Sequence, residues 1–182
     1  MRFASPIFEW SDKETMKRKI ILVRHAKSAW DIPGITDLDR PLKQRGIRDA
    51  KVMGKQSLRL LDLPDLLVTS HAKRALMTSA IFLDELNLDE SHRQIEPLLY
   101  HATPEQILRV ISKLPDRFAS VMLFGHNPGF TDFANWFSPE SIDNIPTTGL
   151  VVLESSAQSW KDFQTRNTTL TEFIFPKQFI EY

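Results

Sequence analysis

The chain has 182 residues, 42% hydrophobic and 25% charged, the balance of one globular domain with a full core. Its 23 basic and 23 acidic residues give a formal net charge of zero, which argues against broad electrostatic binding to nucleic acid or an anionic membrane. Cysteine is absent, which excludes disulfides, thiolate catalysis and zinc–thiolate sites, and no run reaches the roughly 18 apolar residues of a membrane span.

Residues 1–19 mix aromatics (Phe3, Phe8, Trp10) with a charged tract and read as an N-terminal arm of unknown role. They lack the apolar core of a signal peptide, so a cytoplasmic protein is expected, with residues 20–182 as its single domain. Ile20 to Val23 reads as a strand buried on both faces, with Arg24 and His25 at its C-terminal end. In open α/β sheets that end is where ligands bind. Two readings stand here: a strand end with two surface polar residues, or the start of a phosphate site with an arginine fork and a histidine nucleophile.

A loop follows from Ser28 to Arg40, broken by Pro33 and Gly34. Pro41 is expected to open a helix running to about Leu60, with Gly46, Ala50, Met53 and Ser57 on its packed face. Leu66 to Thr69 reads as the second strand, followed by a helix to about Leu86 with Ser70 as its expected cap. Gln94 to Pro97 reads as a short third strand. Pro104 opens a helix capped by Thr103, with Ile107, Ile111 and Leu114 on one face. Ala119 to Phe124 reads as a strand, leading through Gly125-His126-Asn127-Pro128-Gly129 into a helix to Phe137. Leu150 to Glu154 is a strand, and Leu170 to Phe175 an edge strand stopped by Pro176. Strands alternating with helices predict an α/β sandwich with a mostly parallel sheet.

In such a sheet the ends carrying Arg24-His25, Arg74 and His126 share one edge. Two guanidinium groups and one imidazole would offset phosphoryl charge while the other imidazole attacks phosphorus, with helix N-termini after Ser70 and Asn127 adding N–H groups.

The motifs support the phosphate reading. Arg24-His25-Ala26 resembles the Arg-His-Gly signature of the histidine phosphatase superfamily, with Ala26 replacing glycine. Ser70-His71-Ala72-Lys73-Arg74-Ala75-Leu76-Met77-Thr78 resembles its Ser-x-x-x-Arg-Ala-x-x-Thr segment, and Gly125-His126-Asn127-Pro128 its second histidine motif. Asp39-Arg40-Pro41-Leu42 with Gly46, and Thr147-Thr148-Gly149, are similar to the SixA-type phosphohistidine phosphatase branch. Together these segments cover residues 20 to 155 in family order.

The resemblance implies a three-layer α/β/α sandwich of the phosphoglycerate mutase-like type. It implies a metal-independent phosphatase without cofactor, acting through a phosphohistidine intermediate. His25 would be the nucleophile, Arg24 and Arg74 would hold phosphoryl oxygens, and His126 would donate to the transition state. Ser28 and Asn127 would contact the substrate; a loop serine and a helix cap are their plainer readings.

His71, His92 and His101 are read as having no direct role, and the last two as surface residues. Lys27, Arg40 and Lys73 are expected to tune local potential, and Trp30 to form a pocket wall or to pack. Larger relatives carry a glutamate acid after the third strand. Here Glu96 is the candidate general acid, with Glu105 and Asp132 as weaker alternatives. The lack of a clear acid leans toward protein phosphohistidine, whose imidazole leaves readily. A small-molecule phosphomonoesterase acting on a sugar phosphate or nucleotide, a mutase and a non-catalytic phospho-binding module are the alternatives. Without a long insertion, the pocket is expected to be shallow and open.

Overall fold

Aliphatic runs and helix-periodic segments alternate along this chain, and each run finds a place in one sheet. The computed structural model describes residues 17–30 and 32–181. The expected arm falls outside these except for its last three residues, and Arg18 and Lys19 already belong to the first strand. In chain order the elements are β1 (Arg18–Arg24), α1 (Gln44–Leu60), β2 (Leu66–Thr69), α2 (Lys73–Glu85) and β3 (Arg93–Ile95). Then come α3 (Pro104–Ile111), β4 (Ser120–Gly125), α4 (Gly129–Asn135), β5 (Leu150–Ser155) and β6 (Thr168–Ile174).

Among the described residues the strands form one six-stranded sheet in the order β3-β2-β4-β1-β5-β6. The first four neighbours run parallel; β5 is antiparallel to β1, and β6 to β5. The alternation of side chains along β1 explains why both faces are covered. Ile20 and Leu22 pack with Ile107, Val110, Phe130 and Phe133 of α3 and α4. Ile21 and Val23 pack with Ala50, Met53, Phe82 and Leu83 of α1 and α2. The three-layer α/β/α architecture and mostly parallel sheet follow the sequence expectation. Among the described residues no helix is long and apolar enough to cross a membrane.

Three local expectations change. Pro41 does not open α1; its carbonyl accepts the Ala29 N–H, Leu42 bridges Ser28, and the helix starts at Gln44. Ser70 does not cap α2, whose N-cap is Ala72; the Ser70 hydroxyl accepts the Ala72 N–H one turn earlier. Asn127 is not the N-cap of α4; Pro128 is. Thr103 caps α3 as expected, in a reciprocal box with Gln106.

Candidate active site

The sheet topology sets the site. Arg24 and Gly125 are register partners at the ends of adjacent parallel strands, so His25 and His126 emerge side by side. Their ring centroids lie 5.0 Å apart. Arg74, on the first turn of α2 beyond neighbouring β2, points its Nε at His25 Nε2 over 3.3 Å. The cleft around them measures about 190 Å³ and is lined by Arg24, Ser28, Trp30, Asp37, Arg40 and His101 among others. Its floor is deep rather than open: His25 is 8% exposed, His126 2% and Arg74 1%. The rim is exposed at Trp30 and His101.

His25 Nδ1 lies 2.8 Å from the Ala26 carbonyl. That oxygen can only accept, so Nδ1 carries the proton and the lone pair sits on Nε2. Burial lowers the pKa of His25 to about 3, helped by the Arg74, Arg24 and Arg40 charges and opposed by the Ala26 hydrogen bond. Burial likewise lowers His126 to about 2, with His25, Arg74 and His101 adding to it. Both imidazoles are therefore neutral near pH 7. His126 Nε2 lies 2.9 Å from the Ser70 hydroxyl, and its Nδ1 is buried without a protein partner.

Three arginines meet here, not two. Arg24 donates to Asn144 Oδ1 and the Ile145 carbonyl, and its Nε is buried and unpartnered. Arg40, expected to act only through local potential, is buried beneath Trp30, its guanidinium 3.4 Å from the ring centroid. Its Nη1 donates to Ser28 Oγ at 3.2 Å, so the buried Ser28 hydroxyl holds an arginine. Asn127 uses its side-chain amide on Asn144 Oδ1 and the Ile145 carbonyl, tying down the same loop that anchors Arg24.

Asp37 was not legible in the sequence. Its carboxylate pairs with Arg40 at 2.8 Å and Arg74 at 3.0 Å, and accepts the Tyr100 hydroxyl at 2.7 Å. His101 Nε2 lies 3.2 Å from the same Oδ2. Burial opposes ionisation of Asp37, but bonds from Tyr100, His101 and Arg74 outweigh it and hold the carboxyl well below its ordinary range. Three guanidinium groups and Lys27 line the cleft against this one carboxylate, a positive surplus that suits a phosphoryl dianion.

Other candidates lie elsewhere. Glu96 accepts the Leu98 N–H at a 3-10 turn after β3 and is not among the residues lining the cleft. Glu105 sits in the first turn of α3, and Asp132 is exposed on α4. His92 pairs with Asp89. His101 is exposed as expected, yet it stands at the cleft rim. The Lys73 N–H at the start of α2 is taken by the Leu38 carbonyl, so it offers no free donor. A second hollow of about 280 Å³ shares Thr147 with the cleft and is lined by Asn144, Pro146, Phe173 and Phe175. Among the described residues no group of three or more His, Asp or Glu side chains could hold a metal ion.

Known proteins resemble this chain in sequence and in fold. Residues 20–98 match the family model described as "Histidine phosphatase superfamily (branch 1)". An uncharacterized chloroplastic protein of Arabidopsis thaliana is 30% identical, over 85% of this chain and 74% of its own. A protein assigned as the phosphohistidine phosphatase SixA of Agrobacterium tumefaciens superposes with a TM-score of 0.72 at 29% identity, covering 86% of this chain and 97% of its own. The protein histidine phosphatase SixA complexed with tungstate shares the fold, with a TM-score of 0.73 at 20% identity over 88% of this chain and 98% of its own.

Proposed function

This chain belongs to the histidine phosphatase superfamily and is a phosphatase; on that premise we propose that His25 is its nucleophile and phosphohistidine on a protein its substrate. The observation that carries the reading is the buried His25 ring, its Nδ1 proton fixed by the Ala26 carbonyl and its Nε2 lone pair facing Arg74. Nε2 attacks phosphorus, the bond to the leaving nitrogen breaks, and its electron pair leaves with the substrate imidazole. Water then attacks phosphorus, the bond to Nε2 breaks, and phosphate departs.

The cleft's positive surplus steadies the phosphoryl oxygens in both steps. An arriving dianion displaces the Arg74 Nε–H from His25 onto a phosphoryl oxygen and frees the lone pair. The same anion raises the pKa of His126, whose orphaned Nδ1 donates to phosphate. The arginines supply the charge that a metal ion would otherwise supply.

The small cleft favours a substrate borne on a protein. Pockets for whole small molecules are commonly about 300–1,000 Å³, and this one, at about 190 Å³, suits a phosphoryl group and the end of one side chain. The adjoining hollow favours a second reading, a small phosphomonoester whose body lies beyond Thr147. The discriminating experiment compares kcat/KM for a phosphohistidine-bearing protein domain with that for a sugar phosphate. A clear preference for the protein is expected; a clear preference for the sugar phosphate would replace the substrate assignment.

A further inference from the structure

Glu96, the candidate general acid after β3, accepts the Leu98 N–H as a cap. The same segment brings a different group. His101 stands at the rim with its side chain 52% exposed, its ring 5.3 Å from that of His126. Its Nε2 is 3.2 Å from Asp37 Oδ2. A carboxylate can only accept, so Nε2 carries the proton, and Nδ1 has no protein partner among the described residues. An imidazole held by a carboxylate at a cleft rim, with its other nitrogen unpartnered, is the arrangement of an acid–base catalyst. The backbone supports it: His101 has φ of 49°, in the left-handed region that non-glycine residues enter at a cost, and such strain gathers at functional sites.

We propose that His101 is a catalytic residue that protonates the leaving oxygen of phosphate esters, with Asp37 as its positioning residue, so that the cleft cleaves unactivated oxygen esters as well as phosphohistidine. The inference rests on His25 being the nucleophile. In the first step His25 Nε2 bonds to phosphorus, the P–O bond breaks, and its electron pair takes the Nδ1 proton of a protonated His101. The alcohol leaves and His101 is neutral. In the second step water attacks phosphorus, its proton passes to His101 Nδ1, and the P–Nε2 bond breaks to release phosphate. Asp37 holds the ring through Nε2, and Tyr100 shares the same carboxylate oxygen. The charged and titratable groups around His101 are Asp37 from the β1–α1 loop, Arg74 on the same Asp37 oxygen, Tyr100 beside it and His126 after β4.

A leaving-group series tests this. His101→Asn suits the left-handed backbone, since asparagine is also enriched there, and it removes the acidic proton. For a simple alkyl phosphate, kcat/KM is expected to fall by about 10²-fold or more, the scale of general acid catalysis. For dinitrophenyl phosphate and phosphohistidine, which leave without a proton on the departing atom, the loss is expected to stay below about tenfold. His101→Gln should give the same pattern. Equal losses across the series in both folded variants, or a wild type that cleaves phosphohistidine but not the alkyl ester, would overturn the assignment of His101 alone. A wild type that forms no phosphoenzyme from any of these would overturn the nucleophile reading beneath it.

Discussion

Arg74 Nε lies 3.3 Å from His25 Nε2, so the group proposed to grip the phosphoryl oxygen already rests on the atom proposed to attack phosphorus. The other two nitrogens of the guanidinium are held by the carbonyl and carboxylate of Asp37. Lysine at this position would bring one point charge and keep none of the fork. Arg74→Lys is expected to lower kcat/KM by about 10²-fold or more, the scale for removing a preorganised donor. Steady-state kinetics on a phosphohistidine domain measure this; a rate near wild type would take Arg74 out of the site.

Ser70 sets which nitrogen of His126 carries its proton. Its hydroxyl oxygen accepts the Ala72 N–H, and with its O–H turned toward His126 it donates to an unprotonated Nε2. The proton then resides on Nδ1, the nitrogen without a protein partner. Ser70→Ala should lower kcat by about tenfold or more, within the range for perturbing a catalytic imidazole, and shift the tautomer balance seen in 15N spectra of His126. An unchanged tautomer would return Ser70 to a turn-forming role.

Gly46 lets α1 lie against the backbone of Lys27, two residues past His25. A Cβ there would overlap the Lys27 carbonyl oxygen. Gly46→Ala should destabilise the fold by about 1–3 kcal/mol, the usual cost of overpacking, and reduce turnover as well, because the displaced segment carries His25. Urea unfolding with parallel assays tests this; wild-type stability would show that the segment gives way freely.

The ligand-free protein should lose stability in mild acid. Unfolded, His25 and His126 bind protons near pH 6.5. Folded, they stay neutral down to about pH 3 and about pH 2. Across that window the unfolded chain holds more protons, so stability falls as pH falls. Melts across the window from about pH 6.5 downward should show Tm dropping, with a shallower slope in His126→Asn. Phosphate, which stabilises a protonated His126, should reduce the drop. A Tm independent of pH in the wild type would contradict the buried neutral imidazoles.

The centre of the sheet was legible in the sequence because β1, β2, β4 and β5 are built on aliphatic runs, whereas β3 and β6 are short or polar edge strands. Residues just beyond strand ends followed from that, which is why Arg24, His25, Arg74 and His126 could be placed on one edge. Asp37, Arg40 and Tyr100 could not. They meet because the loop after β1 folds back until the Leu38 carbonyl accepts the Lys73 N–H at the start of α2. Asp37 and His101 are separated by 64 positions, and no periodicity encodes their approach. Pro41 misled for a local reason: its residue type suits a first helical turn, but the Ser28–Leu42 bridge keeps it extended.

The most direct test of the account is the site of phosphorylation. Wild-type protein mixed with a 32P-phosphohistidine domain and quenched rapidly should carry acid-labile label, and peptide mapping should find it on His25. His25→Ala should stay folded, because the side chain makes one hydrogen bond to its neighbour's carbonyl besides its contact with Arg74, and should carry none. Label on His126, or turnover surviving in His25→Ala, would contradict the account.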